Sequence, residues 1–158
     1  MFREMRRAKQ EVSRDVCVEI LNNEKRAVLS VIGDDGYPYG IPVNFYYEED
    51  ENTIYLHGAQ QGHKIDAIKN CDKVCFTTWD KGYIPEDDWA YYVTSVVAMG
   101  RAELVQDADL GVEKIRKMGI KYYPTKEEVD EEIKESMHHV QMIAIHIEHM
   151  TGKKVHEK

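Results

Sequence analysis

Apolar residues recur mainly at every second position or in short continuous runs along this chain, which is the pattern of β-strands. Residues Ala27–Ile32 form a compact apolar run with β-branched side chains and predict a strand that is covered on both sides. Ile54 and Leu56 alternate with polar or half-polar neighbours, as in a half-buried strand that ends at His57. Four more strands are predicted at residues 39–47, 73–79, 90–105 and 140–148.

Turn and breaker residues define how these strands are joined. Residues 33–36 read G-D-D-G, and Asp-Gly is a strong hairpin signal. Pro42 cannot donate a hydrogen bond to a neighbouring strand, so it predicts a sheet edge, a bulge or an open ladder. The segment 90–105 is longer than a usual strand, and we expect a bend or bulge near Gly100. The first three strands therefore form a meander.

Helical spacing is confined to three parts of the chain. Ser13 is a predicted N-cap for the first helix, and the second runs from residue 61 to about residue 70. Two further helices occupy residues 107–139, with Asp107 and Thr125 as their caps. Helices of this kind, inserted between antiparallel strands, favour a β-barrel with added helices over an alternating α/β fold.

The predicted fold class is therefore mainly β, with six antiparallel strands that close into a small barrel. We expect a single domain over residues 1–158, in which residues 1–11 are a leader arm. Residues 107–139 are then a helical insertion before the last strand. That strand is expected to end at residue 148 and to be followed by a glycine turn at residues 151–154.

Composition excludes several classes of function. The net charge of -8 argues against nucleic acid, because a phosphate backbone requires a basic surface. No apolar run approaches the roughly 20 residues of a membrane span, and the first ten residues lack the apolar core of a signal peptide. The three cysteines are an odd number without metal-site spacing, which predicts reduced thiols, no metal site and a cytoplasmic location.

The most informative stretch for chemistry is residues 55–69, Y-L-H-G-A-Q-Q-G-H-K-I-D-A-I-K. A strand ends at Gly58, and a helix begins after Gly62. A helix start presents unpaired backbone N–H groups and the positive end of the helix dipole. Lys64 adds a full positive charge, so the stretch predicts a site for a phosphate-sized anion. The alternative is an ordinary strand–turn–helix whose polar residues are solvated.

Four motifs occur in a fixed order along the chain: D-G-Y-P-Y-G-I-P-V-N-F at 35–45, Y-L-H-G-A-Q-Q-G-H-K at 55–64, S-V-V-A-M-G-R-A at 95–102 and T-G-K at 151–153. This set resembles the FMN-binding split barrels of the pyridoxamine 5'-phosphate oxidase-like superfamily, and within it the nitroimidazole-resistance (Nim) type proteins. The resemblance implies a six-stranded split barrel and a homodimer that holds FMN in a groove between the two subunits.

The resemblance also implies the residues that bind FMN. Lys64 and the backbone of Gly62 and His63 are implied to hold the phosphate. The strand segment Pro42, Val43 and Asn44 is implied to run beside the isoalloxazine ring. The other implied site residues lie along the ribityl chain, the ring or the partner subunit: His57, Ala59, Ser95, Val96, Arg101 and Lys153.

Four of these residues have simple structural alternatives. His63 is equally expected as an exposed residue at a helix start, and His57 as a polar tip at a strand end. The amide of Asn44 needs a partner, which is either the flavin edge or an adjacent strand. Arg101 has the alternative of an ion pair with Glu103 or with an acidic helix.

The function implied by the resemblance is that of an FMN-dependent oxidoreductase. Electrons would pass from a reduced nicotinamide or another small donor to a small acceptor such as a nitroaromatic compound, and the flavin would supply the chemistry. His57 is the one candidate for a catalytic acid or base. The alternatives are a non-catalytic flavin or haem binding protein, a pyridoxamine-phosphate-oxidase-like enzyme, and an enzyme that uses deazaflavin (F420).

Overall fold

A single antiparallel sheet of eight strands forms the centre of the computed structural model, which describes residues 1–158. The strands are β1 (Glu11–Val12), β2 (Ala27–Ile32), β3 (Pro38–Val43), β4 (Tyr46–Glu48), β5 (Thr53–Ala59), β6 (Lys73–Trp79), β7 (Tyr92–Leu104) and β8 (Val140–His156). The helices are α1 (Arg14–Asn23), α2 (His63–Asn70), α3 (Ala108–Tyr122) and α4 (Lys126–Ser136), with short 3₁₀ turns at Ala8–Gln10, Asp34–Gly36 and Met137–His139. None of the four helices is long and apolar enough to cross a lipid bilayer.

The strand order is β3-β2-β6-β7-β8-β5-β4, with β1 paired to the far end of β8. The predicted fold class is confirmed, although the strand count is eight and not six. The predicted strand 39–47 was wrong as one element, because it is divided at Asn44 and Phe45. Its first part, β3, pairs with β2 at one edge of the sheet, and its second part, β4, pairs with β5 at the other.

Tertiary contacts explain this division. Phe45 is fully buried in the core, and its backbone N–H donates to the hydroxyl of Tyr122 on α3 at 2.9 Å instead of to a neighbouring strand. Because residues 44 and 45 connect the two edge strands, the sheet curls on itself and remains open between β3 and β4. Of the three explanations predicted for Pro42, a sheet edge, a bulge or an open ladder, the structure shows the sheet edge.

The second correction concerns β8. This strand does not end at residue 148, and the predicted glycine turn at 151–154 is wrong, because these residues continue the strand to His156. Gly152 pairs with Val96 on one side and with Val12 on the other. A Cβ atom at Gly152 would collide with the sulfur of Cys17 and a methyl group of Val12. The glycine is therefore required by close packing and not by a turn.

The bulge expected near Gly100 is confirmed. Met99 pairs with His149 and Gly100 with Ile147, so Glu148 is the extra residue on β8. The backbone carbonyl of His146 occupies the position that a Cβ at Gly100 would need. Glycine is therefore the residue that allows β7 and β8 to approach each other at the bulge.

The main apolar core lies inside the curled sheet and beneath α1 and α2, and a smaller cluster of Tyr55, Met142 and Ala144 packs separately. The fully buried residues of the main core include Leu21 of α1 and, on the inner strand faces, Leu29, Leu56, Phe76, Ile143 and Ile145. The predicted caps are also present, since Ser13 and Asp107 accept backbone hydrogen bonds at the starts of α1 and α3. Thr125 and Glu128 form a capping box on α4.

A buried lysine fixes α3 to the β4–β5 hairpin. Lys114 is 1% exposed and donates to Glu48 at 3.1 Å and to Glu51 at 2.6 Å. The hydroxyl of Tyr55 donates to the same Glu51 carboxylate at 2.6 Å. Burial alone would lower the pKa of Lys114, but the hydrogen bonds to the two carboxylates outweigh burial and raise that pKa. The three charged side chains therefore hold α3 in position against the β4–β5 hairpin.

Candidate functional site

The connection between β5 and α2 brings Lys64 back over the strand that precedes it. Gly62, the residue before α2, has a φ of 129°, a backbone conformation that residues other than glycine rarely adopt. This turn directs the Lys64 side chain across Gly58, and its Nζ lies 2.9 Å from the position of a Cβ at that glycine. The bare backbone of Gly58 thus provides the space in which the ammonium lies.

The charge of Lys64 is not neutralised by any side chain of the protein. Burial lowers the pKa of Lys64, and no carboxylate or hydrogen bond opposes this effect. No side chain caps the start of α2, so the first-turn N–H groups also lack a side-chain partner. A half-buried cation beside an uncapped helix start is the arrangement that binds an anion.

His57 lies on β5 one residue before Gly58, where it pairs across the ladder with Met142. Burial lowers the pKa of its imidazole, and the positive charge of Lys64 lowers it further. The ring is therefore neutral near pH 7, with one nitrogen that can donate a hydrogen bond and one that can accept.

This environment predicts the titration of His57. We expect an NMR titration midpoint below about 6.5, and we expect the midpoint to rise in Lys64→Met because the neighbouring charge is removed. It should stay below about 6.5 in the variant, since burial persists. Because the folded state disfavours the protonated ring, His57 should also reduce stability as the pH falls below about 6.5. A His57 midpoint that Lys64→Met leaves unchanged would contradict this electrostatic coupling.

A cavity of about 300 Å³ opens between α3, α4 and the end of β5. Eight of its 13 lining residues are hydrophobic, and the predicted site residues Asn44 and His57 both line it. Asn44 is exposed, and its amide donates to the backbone carbonyl of Lys25 at 3.0 Å, so the adjacent chain is its partner in this structure. The Tyr122 hydroxyl donates to the same carbonyl at 2.7 Å. Tyr122 and Asn44 also border a wider polar groove of about 710 Å³.

His63 connects α2 to the edge strand β3. Its imidazole stacks on Tyr39 with the ring centroids 4.2 Å apart, and its Nε2 is 3.8 Å from a carboxylate oxygen of Asp34. Tyr39 lies on the same strand as Pro42, which is exposed, and Val43, which packs partly against the core. The structure thus brings β3 alongside the start of α2. Ala59 ends β5, opposite Val140.

The other predicted residues belong to a second region on β7 and β8. Ser95 and Lys153 face each other across these strands, whereas the side chain of Val96 is fully buried in the core. Arg101 donates to both carboxylate oxygens of Asp72 at 2.9 Å and to Glu148 at 3.0 Å. Arg101 therefore forms ion pairs, as the simpler alternative predicted, but its partners are Asp72 and Glu148 and not Glu103 or an acidic helix.

The partner of His57 and the partner of Ser95 lie near opposite ends of β8, whereas Arg101 pairs with His146 between them. His57 pairs with Met142, and Lys153 lies near the other end of β8. At roughly 3.3 Å per residue, the two positions are on the order of 35 Å apart along that strand. No group of three or more His, Cys, Asp or Glu side chains is arranged to hold a metal ion.

Sequence reasoning missed the contribution of the helical insertion to the site. Tyr122 from α3 and Ile133 from α4 line the cavity, but an apolar face on a helix has the same pattern whether it covers a core or a cavity. In the sequence, Gly119 is a glycine inside a predicted helix, which hints at close packing there. In the structure, a Cβ at Gly119 would lie 2.6 Å from a methyl group of Val129. That glycine allows α3 and α4 to pack closely at one end of the cavity.

Comparison with known proteins gives one family match and several similar folds. Residues 13–154 match the family model described as pyridoxamine 5'-phosphate oxidase, and no curated protein matches the chain. A candidate 5-nitroimidazole antibiotic resistance protein from Bacteroides thetaiotaomicron has a TM-score of 0.76 at 20% identity, covering 91% of this chain and 86% of that one. An FAD-binding protein from Mesorhizobium loti has a TM-score of 0.66 at 19% identity, covering 92% and 96%. An FAD and heme binding protein from Mycobacterium smegmatis has a TM-score of 0.75 at 14% identity, covering 94% and 74%.

Proposed function

Because the chain belongs to the pyridoxamine 5'-phosphate oxidase family, we propose that it is a flavoprotein that binds FMN. The observation that carries the proposal is the ammonium of Lys64, which is half-buried, lacks a partner and lies beside the uncapped start of α2. A doubly negative phosphate ester satisfies both features at once, since it pairs with the cation and accepts hydrogen bonds from the first-turn N–H groups.

The rest of the flavin would extend from this anion site toward the edge strand β3. Pro42 is exposed on β3, and the outer edge of that strand has no neighbouring strand, so its free backbone groups are available to the polar rim of an isoalloxazine ring. His57 and Asn44 lie at the same end of the molecule and would line the ring or the ribityl chain. FAD contains the same unit, and two of the similar structures are described as binding it.

The redox chemistry would be supplied by the flavin when it is bound, as it accepts electrons from a reduced donor and passes them to a small acceptor. The role of the chain is then to bind and orient the cofactor. The neutral imidazole of His57 can hold or release a proton at one ring nitrogen, which suits an acid or base next to the acceptor. We propose a nitroaromatic compound as the acceptor and a reduced nicotinamide as the donor.

We further propose that the protein is a homodimer with flavin at the subunit interface. Two observations support this: the partners of His57 and of Ser95 lie near opposite ends of β8, and large exposed side chains lie on β6 and the loop after it. Trp79 is 51% exposed, Tyr83 50% and Trp89 73%, and aromatic side chains are enriched at protein–protein interfaces. A two-fold axis would bring Ser95 and Lys153 of one protomer to the Lys64 region of its partner.

The identity of the released cofactor tests the proposed function. Purified protein supplemented with FMN should show a flavin's two visible absorption bands after gel filtration, and mass spectrometry of the denatured sample should give the mass of FMN. Turnover of a nitroaromatic compound with NADH or NADPH tests the oxidoreductase role. A Soret band, a deazaflavin mass or the absence of any bound flavin would overturn the FMN assignment.

A further inference from the structure

We propose that the cavity between α3, α4 and His57 binds a small, uncharged and largely apolar ring compound through one hydrogen-bonding substituent. This inference rests on the proposed function in one respect, because it assigns the cavity to the electron acceptor. The binding itself depends only on the walls of the cavity and on His57.

The walls of the cavity are apolar and come from both helices and from the chain leading into β8. They include Ile115 and Met118 of α3, Val129 and Ile133 of α4, and the residues Met137 and Val140. The space that they line is open to solvent on one side and has a volume of about 300 Å³. It lies at the lower end of the volumes that bind small molecules.

Most polar groups of the cavity already have partners in the protein. The Tyr122 hydroxyl is bound to backbone groups of Lys25 and Phe45, and the Ser136 hydroxyl donates to Glu132 at 2.6 Å. The imidazole of His57 makes no protein hydrogen bond, and the shift of its pKa reflects only burial and Lys64. It is therefore free to bind a ligand's polar substituent, as is the hydroxyl of Tyr123, which also lines the cavity and makes no protein hydrogen bond.

The surrounding charges favour an uncharged ligand. The lining contains no lysine or arginine to neutralise an anion, and its one carboxylate, Glu132, is exposed and already accepts a hydrogen bond from Ser136. An ion of either sign would also lose water against walls that are mostly apolar. A neutral ring with one hydroxyl, amide or similar group avoids both costs.

The helix α4 covers the cavity and is held by few contacts. Val129 is its only fully buried residue, and Arg116 of α3 donates to Asp130 of α4 at 2.7 and 3.2 Å. Ile133 and Ser136 are only half-buried, so the cavity communicates with solvent along this helix. A small ligand can therefore reach His57 without unfolding the sheet.

Binding of 4-fluorobenzyl alcohol, a neutral ring with a hydroxyl group, tests the proposal by ¹⁹F NMR titration of the full-length protein saturated with FMN. Ile133→Trp and Ile115→Trp fill the cavity from opposite walls, and Ile120→Trp is the matched control because Ile120 is 41% exposed on α3. We expect saturable binding by the wild type and by the control, and at least a tenfold weaker affinity in each cavity variant. Thermal unfolding of each variant establishes that it is folded.

The proposal is overturned if the wild type shows no saturable binding, or if folded cavity variants bind as tightly as the control. It is also overturned if FMN displaces the probe from the flavin-free protein, because the cavity would then hold the flavin ring and not the acceptor. FMN binding is followed separately through quenching of flavin fluorescence. FMN binding without probe binding overturns this inference alone, whereas probe binding without FMN binding supports the cavity as a ligand site and overturns the proposed function.

Discussion

Replacing Lys64 by methionine is expected to weaken FMN binding by about 10- to 100-fold. Hydrogen bonds to charged groups contribute about 1.5–3 kcal/mol, and each 1.4 kcal/mol corresponds to a factor of ten in the dissociation constant. Lys64 is half-buried and has no protein partner, so nothing in the site compensates for its loss. Methionine keeps an unbranched chain of similar reach while removing the charge. Titration of FMN with each protein, followed by quenching of flavin fluorescence, gives the two dissociation constants.

Lys69→Met is the matched control for this measurement. Lys69 is exposed in the last turn of α2, so its replacement makes the same change in net charge on the same helix. We expect its affinity for FMN to remain within about twofold of the wild type, since exposed charges at a distance are screened by salt. Equal losses in the two variants would point to general electrostatic attraction. An unchanged affinity in Lys64→Met would show that the phosphate binds elsewhere.

Replacing Gly100 by alanine is expected to destabilise the protein by about 3 kcal/mol, at the upper end of the usual cost of overpacking. The added Cβ would collide with the backbone carbonyl of His146, and a backbone atom cannot turn away as a flexible side chain does. The two central strands β7 and β8 would have to separate at the bulge. The free energy of unfolding, measured in urea, reports the change directly.

Gly40→Ala provides the comparison, because it makes the same substitution in the edge strand β3. A Cβ at Gly40 would lie 3.4 Å from a methyl carbon of Val28 and 3.8 Å from the Ser30 hydroxyl, which are ordinary contacts. We expect a change of less than about 1 kcal/mol, since the alanine also restricts the unfolded chain. A loss at Gly40 as large as that at Gly100 would contradict the role assigned to the bulge.

Local patterns were sufficient for those elements that depend on local chemistry. The strands Ala27–Ile32 and Lys73–Trp79 have the predicted bounds, and Ser13, Asp107 and Thr125 cap the helices as expected. The four ordered motifs also identified the superfamily correctly, as the family match confirms. Each of these signals is contained within a few consecutive residues.

The errors occurred where distant residues decide the structure. Gly152 looked like a turn residue, but its small size serves the packing of Cys17 and Val12 against β8. The strand break at Phe45 depends on a hydroxyl from Tyr122, which lies 77 positions along the chain. No local pattern contains either contact.

The candidate site was predictable only in part, for the same reason. The turn before Lys64 was visible in the sequence, because glycines, a lysine and a helix start lie within one short stretch. The cavity was not visible, since the apolar faces of α3 and α4 have the same spacing as a core. The partners of Arg101 were not visible either, because Asp72 and Glu148 come from separate strands or loops. The individual FMN contacts of all the predicted site residues stay predictions.

Comparing the affinities of FMN and riboflavin tests the central claim most directly, because the two ligands differ only in the phosphate. We predict that the wild type binds FMN at least tenfold more tightly than riboflavin. We also predict that Lys64→Met loses FMN affinity while its riboflavin affinity stays within about twofold of the wild-type value. Equal wild-type affinities for the two ligands, or equal losses for both in the variant, would contradict a phosphate bound by Lys64 at the start of α2.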